Sequence, residues 1–194
     1  MKNLISFKAN LLIIVGLLLS GCAGVQNVKS DYRLDTSSNK GLVIGTLTLK
    51  NKTLEVPYFS FKSENGDPVG SISFRQNLLT QRPETDLKDR FAKVFVIELP
   101  AGKYHFNQLV FPRHAGALNL SSSTIQMASF KVEAGKANYI GDIVIDAETS
   151  AIRASTVNSI KVRDLLEEDK NEFLKLYSNS SEIVIKKSIT LIGD

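Results

Sequence analysis

The side chains that most often carry chemistry are scarce in this sequence. It contains two histidines, His105 and His114, and a single cysteine, Cys22. A zinc site usually needs three or four cysteine, histidine or carboxylate ligands. His105 lies in an alternating strand pattern and His114 in a loop pattern, so the simpler interpretation is that both are surface histidines. We therefore predict no metal site.

Hydroxyl and carboxyl groups show no catalytic pattern either. The run Ser121–Ser123 offers hydroxyls, but no Gly-x-Ser-x-Gly turn presents a nucleophile. Four acids cluster late in the chain without the glycine and the spacing of an EF-hand calcium loop. Acids at the start of a helix complement its dipole, which is the simpler interpretation. These four are Asp164, Glu167, Glu168 and Asp169. We predict that the protein is not an enzyme and needs no cofactor.

One loop is a candidate for recognition. Pro112, Arg113, His114, Ala115 and Gly116 follow a predicted strand and combine turn residues with a cationic and an imidazole side chain. Loops carry binding residues more often than strands do. Arg113 and His114 are therefore the candidate recognition residues, with a simple connector as the alternative.

The first residues have the features of a secretory signal. Lys2 and Lys8 precede an apolar run from Leu11 to Leu19, and small residues follow it. A helix needs roughly 20 apolar residues to cross a bilayer, so this run is short for a membrane anchor. A positive start, a short apolar stretch and a small-residue end predict a signal peptide.

The end of that run, Leu19-Ser20-Gly21-Cys22, resembles the lipobox of bacterial lipoproteins. The resemblance implies cleavage between Gly21 and Cys22, diacylglycerol on the Cys22 thiol and an acyl chain on the freed amine. Residues 1–21 would then be removed, and the covalent lipid would hold the protein on a membrane. In enteric lipoproteins an aspartate after the cysteine favours inner-membrane retention, so Ala23 implies the outer membrane. The alternative is an ordinary signal peptide with a cysteine at its cleavage region.

Composition limits the remaining possibilities. Without residues 1–21 the chain has 173 residues, a typical size for one domain, and carries 22 basic against 20 acidic side chains. The charges are interspersed, so no basic stripe for nucleic acid is present. Residues 22–40 are polar and predict a lipidated flexible tether. Residues 41–194 predict a single domain.

The sequence of the domain predicts a series of short strands and one helix near the C-terminus. Alternation in Leu42–Lys50 predicts a half-buried strand, with Val43, Leu47 and Leu49 on its apolar face. Asp164 and Glu167 fit a capping box for a helix that places Leu166, Phe173 and Tyr177 on one face. Many strands and no alternating helices predict an antiparallel β-sandwich. The other predicted strands are Leu54–Lys62, Val69–Phe74, Phe91–Leu99, Tyr104–Phe111, Leu118–Thr124, Met127–Val132, Tyr139–Asp146, Ile152–Val162 and Ile183–Ile192.

Two turns of similar sequence suggest a family. Phe95 to Tyr104 contains Leu-Pro-Ala-Gly-Lys-Tyr, and Phe130 to Lys136 ends in Glu-Ala-Gly-Lys, before Tyr139-Ile140-Gly141-Asp142-Ile143. Together they resemble prealbumin-like domains of uncharacterised bacterial lipoproteins, over about Phe91 to Tyr177. The resemblance implies a Greek-key sandwich. It brings no catalytic positions with it, because its motifs are turn and core residues.

These observations favour a membrane-anchored envelope lipoprotein that binds or scaffolds another envelope component, such as a protein. Both the periplasmic face and the cell surface fit this expectation. A module that binds a small ligand or a glycan is the alternative, although glycan sites usually offer aromatic platforms and the chain has no Trp. A hydrolase is disfavoured by the missing motifs.

Overall fold

The structure is a computed structural model that describes residues 25, 27–50, 57–74, 85–87, 90–111, 120–124, 128–148, 156–177 and 185–191. These residues form two β-sheets and one helix, which confirms the predicted mainly β architecture with a helix near the C-terminus. The strands are β1 (Lys40–Leu49), β2 (Tyr58–Ser63), β3 (Pro68–Ser73), β4 (Ala92–Pro100), β5 (Gly102–Phe111), β6 (Leu120–Thr124), β7 (Ala128–Val132), β8 (Ala137–Glu148), β9 (Thr156–Arg163), β10 (Ile185–Lys187) and β11 (Ile189–Leu191), and the helix is α1 (Leu166–Leu176).

The chain crosses repeatedly between the two sheets. The first sheet has the order β10-β8-β1-β4, and β9 also pairs with β8. The second sheet has the order β11-β7-β5-β2-β3, and β6 also pairs with β5. Most neighbours are antiparallel, as predicted, but β8 runs parallel to both β1 and β10. Side-chain alternation is the same in parallel and antiparallel strands, so the sequence pattern could not reveal the direction of these pairs.

The main core lies between the sheets. Val43, Leu47 and Leu49 of β1 point into it, as the alternation predicted. Aromatic rings from the second sheet fill the other side, and Phe61 makes edge-to-face contacts with Phe106 and Phe130. Such contacts add about 0.5–1.5 kcal/mol per pair beyond the area that the rings bury.

The other face of β1 is buried as well, which the sequence analysis did not predict. Leu42 and Ile44 belong to a second apolar cluster on the outer face of the first sheet. Phe173 of helix α1 and Tyr177, which follows the helix directly, cover this face. The polar Thr46 and Thr48 lie on the same face and are 0% and 6% exposed. The prediction of a half-buried β1 is therefore wrong, because a third layer covers the first sheet.

The described part of the predicted tether lies against the sandwich. Val28 donates its N–H to the carbonyl of Val96 at 2.8 Å, and Asn27 Oδ1 accepts the Val96 N–H at 3.0 Å. Val28, Tyr32 and Leu34 pack onto the second apolar cluster. From Asn27 onward the segment is thus not a free chain, because apolar side chains and backbone hydrogen bonds hold it on strand β4.

The last predicted strand is two strands. β10 pairs with the first sheet and β11 with the second, and Ser188 joins them. Ser188 donates its N–H to Tyr139 O at 2.8 Å and accepts the N–H of Lys131 at 3.1 Å through its own carbonyl. The C-terminal segment therefore links the two sheets along one side of the sandwich.

Helix α1 lacks the predicted capping box. Leu165 occupies the cap position and makes no side-chain cap hydrogen bond. The Asp164 carboxylate accepts a 2.5 Å hydrogen bond from Lys187 Nζ and a longer one, of 3.4 Å, from the N–H of Leu166. None of the helical residues that the structure describes forms a span long and apolar enough to cross a membrane.

Candidate functional site

Most of the site residues that the sequence suggested are not among the residues that the structure describes. Gly21, Cys22, Arg113 and His114 lie outside the described residues. His105 is part-buried on β5, with Lys62 and Ser129 opposite it on the neighbouring strands. Among the residues with described positions, no three His, Cys, Asp or Glu side chains gather as a metal site would require.

A buried polar cluster lies beneath α1, on the outer face of the first sheet. At its centre Asp169, which is 2% exposed, accepts hydrogen bonds from Thr46 Oγ1 at 2.5 Å and from the Tyr139 hydroxyl at 2.6 Å. Arg90 forms an ion pair with the same carboxylate. The sequence analysis interpreted Asp169 as a complement of the helix dipole, and the residue does lie in the first turn of α1. Its carboxylate also points into the protein and fixes α1 to the sheet, which the sequence analysis did not predict.

Asp142 forms the second half of the cluster. It is fully buried and accepts from Thr48 Oγ1 at 2.6 Å, from Arg163 Nη2 at 2.6 Å and from Arg163 Nε at 3.0 Å. Arg90 Nη1 lies 3.4 Å from the same carboxylate and so joins the two aspartates. Both buried carboxylates are therefore paired with arginine, as buried charges require.

A β-bulge at Gly141 brings Asp142 into this cluster. The pairing of β1 with β8 shifts between Ile44 and Thr46, so β8 contains an additional residue there. Gly141 has φ of 93°, a conformation that other residues rarely adopt. The bulge lets Tyr139 and Asp142 face the same side of the sheet, although a regular strand would place residues three apart on opposite faces.

Burial and the hydrogen bond to Asp169 raise the pKa of Tyr139 well above its usual value near 10. Its hydroxyl therefore stays protonated and acts as a donor to Asp169, while it accepts the N–H of Leu165 at 3.2 Å. A cleft of about 520 Å³ lies beside the cluster and is lined by Arg90 and Arg163. Because both guanidinium groups already bind the aspartates, this arrangement serves to hold α1 in place.

The second sheet presents a different surface. On β2, Phe59 and Phe61 face the core, while Tyr58, Ser60 and Lys62 are only partly buried. Within the part of the chain that the structure describes, α1 contacts β1, β4 and β8 of the first sheet. The outer face of the second sheet carries a cleft of about 770 Å³, which we call the Tyr58 cleft. Its lining includes Tyr58, Ser60, Lys62, Val69, Asn107 and Gln108.

Two bulges shape the Tyr58 cleft. The pairing of β2 with β5 shifts between Ser60 and Phe61, which makes Asn107 the additional residue of β5. The pairing of β2 with β3 shifts between Phe61 and Lys62, which makes Val69 the additional residue of β3. Both neighbours of β2 are thus interrupted at the same level. Bulges bend strands and redirect side chains, and they are frequent next to functional sites.

The polar groups of the cleft are hydrogen-bond donors and acceptors with little charge. Ser60 Oγ donates to Asn107 Oδ1 at 3.1 Å and is 3.4 Å from Gln108 O. The bulge leaves both amide side chains partly exposed in adjacent positions. Lys62 is the one charged residue among those that line the cleft in the described structure. This chemistry suits reversible binding of a polar ligand.

The sequence contains a signal for two of these bulges. The core residues of β5 are Phe106, Leu109 and Phe111, so the spacing of two is interrupted by one step of three. In β8, Ile140, Ile143 and Ile145 show the same interruption around Gly141. A step of three in an alternating strand indicates an additional residue, and this signal could have located the polar cluster and the cleft.

Comparisons with known proteins give distant similarities. No protein-family model matches the chain. Phosphoribosylformylglycinamidine synthase subunit PurL from Pelagibacter ubique is 21% identical over 183 residues, which are 86% of this chain. The chain spans 24% of that protein's length.

The comparison with solved structures gives two partial matches. A leucine-rich repeat protein from Bacteroides thetaiotaomicron matches 57% of this chain and 14% of its own, with 14% identity and a TM-score of 0.35. A protein from Parabacteroides distasonis assigned to cell adhesion matches 61% of this chain and 38% of its own, with 18% identity and a TM-score of 0.31.

Proposed function

We propose that this chain is a lipid-anchored envelope protein whose β-sandwich binds another component of the cell envelope without catalysing a reaction. The observation that carries the proposal is Leu19-Ser20-Gly21-Cys22 at the end of a short apolar run that follows Lys2 and Lys8. In this account the Cys22 thiol carries diacylglycerol, and residues 1–21 are removed. Two or three acyl chains contribute about 0.8 kcal/mol per buried methylene, enough for stable anchoring.

The distribution of polar groups supports a binding role. The buried ionisable side chains Asp142 and Asp169 are bonded to arginines beneath α1. The Tyr58 cleft, by contrast, offers amide and hydroxyl groups on a face that α1 does not cover. The volume of about 770 Å³ lies in the size range of ligand sites, which combine an apolar lining with a few polar groups. The cleft also favours the second candidate, a module that binds a small ligand or a glycan.

The position of Val25 limits how far the β-sandwich could lie from a membrane anchored at Cys22. Val25 packs at the edge of the main core, where a side chain on Gly70 of β3 would overlap it. Val25 is three positions after Cys22, and three chain steps span roughly 11 Å at most. A lipid on Cys22 would therefore keep the β3 side of the sandwich close to the bilayer, with no long tether between them.

The strand order supports the Greek-key, prealbumin-like arrangement that we propose for the sandwich. β2 and β3 form an antiparallel pair, β4 crosses to the first sheet, and β5 returns to lie beside β2. The return of β5 beside β2 resembles the return of the fourth strand of a Greek key beside its first, with β4 placed in the other sheet.

The test compares membrane fractions of cells that make the native chain, Cys22→Ala or the control Ser30→Ala. Ser30 is exposed in the same segment. The proposal predicts that native protein and Ser30→Ala sediment with outer membranes, while Cys22→Ala is released in soluble form or retains residues 1–21. Crosslinking in cells followed by affinity capture should recover an envelope component with the native form. Equal behaviour of all three forms would refute the anchor.

A separate experiment tests whether the protein is located in the outer or the inner membrane. If the residue after the cysteine directs sorting, Ala23→Asp should move the protein from outer-membrane to inner-membrane fractions of an enteric host. An unchanged distribution would contradict the outer-membrane assignment and leave the anchor itself intact.

A further inference from the structure

The Tyr58 cleft has the size and the polarity of a site for a sugar chain. Its volume of about 770 Å³ lies within the range of roughly 300–1,000 Å³ that small-ligand sites occupy. Lys62 supplies the one charged group among the lining residues described, and Ser60, Ser71, Asn107 and Gln108 supply neutral donors and acceptors. A charged ligand would find little to balance it here, whereas a ligand rich in hydroxyl groups would find several partners.

The Asn107 side chain is oriented for binding by its neighbour. Ser60 Oγ donates to Asn107 Oδ1 at 3.1 Å, which fixes the amide plane. The Nδ2 group of that amide then keeps its two N–H donors for a ligand, since no residue in the described part of the structure is bonded to it. A primary amide with a fixed plane can bond to a ligand hydroxyl with little loss of side-chain entropy.

Tyr58 supplies an aromatic surface at one end of the cleft. It lies on the outer face of β2, opposite Val110 in the pairing of β2 with β5. Val110 is itself 7% exposed, so Tyr58 has an apolar neighbour on this face. An aromatic ring that combines an apolar face with a polar hydroxyl suits the C–H face and the hydroxyl rim of a pyranose.

We propose that the Tyr58 cleft binds a neutral oligosaccharide. Tyr58 would contact a sugar ring, and the Asn107 and Gln108 amides would bond to ring hydroxyls. The inference rests on the proposed binding function and specifies its ligand. The bulge at Asn107 explains why both amides lie beside β2. In a regular strand, consecutive residues face opposite sides of the sheet, so either Asn107 or Gln108 would point into the core.

The test is titration of the full-length protein, purified from membranes in detergent, with neutral cello-, malto- and laminari-oligosaccharides and with an acidic oligogalacturonate. Calorimetry gives affinity. Because the chain lacks Trp and has five Tyr, its intrinsic fluorescence reports on tyrosines alone. We expect saturable binding of at least one neutral sugar, weakened about tenfold by Tyr58→Ala or Asn107→Ala, in line with the loss of about one polar contact.

Asn171→Ala is the matched control, since Asn171 is an exposed amide on α1 beside the other cleft. It should leave the affinity unchanged, and unfolding curves should show that all variants fold. Absence of neutral-sugar binding in the millimolar range would overturn the proposal. So would binding that Tyr58→Ala and Asn107→Ala leave intact, or binding of oligogalacturonate alone. Membrane fractionation would still report the anchor separately, so the two failures are distinguishable.

Discussion

The hydroxyl of Tyr139 on β8 donates a 2.6 Å hydrogen bond to the carboxylate of Asp169 on α1, and both residues are almost completely buried. This bond connects the helix to the centre of the first sheet. Thr46 and Arg90 bond to the same carboxylate, so three elements and a loop residue meet at one buried charge. The third layer of the fold thus depends on a polar contact as well as on the packing of Phe173 and Tyr177.

Replacement of Asp169 should be strongly destabilising. Asp169→Ala leaves Arg90, Tyr139 and Thr46 without their common acceptor, and loss of one partner of a buried ion pair costs about 3–5 kcal/mol. Urea unfolding of the full chain measures this loss. Glu167→Ala, at an exposed acid of the same helical turn, should change the free energy of unfolding by less than about 0.5 kcal/mol. Equal losses of unfolding free energy in the two variants would contradict a stabilising role for the buried Asp169 carboxylate.

Tyr139 should make stability fall at high pH. Burial, followed by the hydrogen bond to Asp169, raises its pKa above the ordinary value of 10.0. Its contribution to stability is therefore complete below pH 10. Above that pH the unfolded chain loses the proton while the folded chain keeps it, so the free energy of unfolding decreases until the folded pKa is reached.

The comparison is with Tyr139→Phe between about pH 10 and pH 12. The native protein should lose stability more steeply than the variant, by about 1.4 kcal/mol per pH unit for one proton. Tyr32 and Tyr104, whose pKa values are also raised, are present in both proteins and so do not affect the difference. Parallel pH profiles would contradict a protonated, buried Tyr139.

The bulge at Gly141 predicts a specific intolerance. An alanine Cβ there would lie 2.5 Å from Val162 Cγ1 and 3.0 Å from Arg163 O, in addition to the cost of φ at 93°. Gly66 in the β2–β3 turn has a similar φ of 88°, but nothing lies within 4 Å of an added Cβ. Gly66→Ala should therefore cost about 1–2 kcal/mol for the backbone alone, and Gly141→Ala should cost more. A smaller loss at Gly141, measured by denaturant unfolding, would argue against the bulge.

Asn27 should protect the exposed edge of β4. Its Oδ1 accepts the Val96 N–H, and the N–H groups of a strand point alternately to its two sides. Val96 N–H thus points away from β1 and Ile97 N–H points toward it. Asn27→Ala should accelerate hydrogen exchange of the Val96 amide and leave that of Ile97 nearly unchanged. Equal protection of Val96 in both proteins would show that residue 27 does not cover this edge.

Local patterns were sufficient for the elements and their inward faces. Period and spacing alone predicted the inward face of β1, with Val43, Leu47 and Leu49, and the burial of Phe173 and Tyr177. Leu166, predicted on the same helical face, is only partly buried. These predictions depend on each element's own alternation, which burial in the folded protein preserves.

Contacts between distant elements could not be predicted in this way. The burial of Thr46 depends on its contact with α1, more than a hundred residues later, and Thr48 bonds to Asp142 of β8. The burial of Asp169 could not be predicted for the same reason. The parallel pairing of β1 with β8 depends on the path between them, which no local period records. The bulges at Asn107 and Gly141 correspond to steps of three between core residues in the sequence. Which side chains they bring together depends on the neighbouring strands, which the sequence pattern does not identify.

Mass spectrometry of the N-terminal peptide of the protein recovered from its native membrane tests the central claim most directly. The account predicts a peptide that begins at Cys22 and carries diacylglycerol on the thiol and an acyl chain on the amine. An unmodified Cys22, in a chain that keeps residues 1–21 or that begins at another residue, would contradict the lipid anchor on which the proposed function depends.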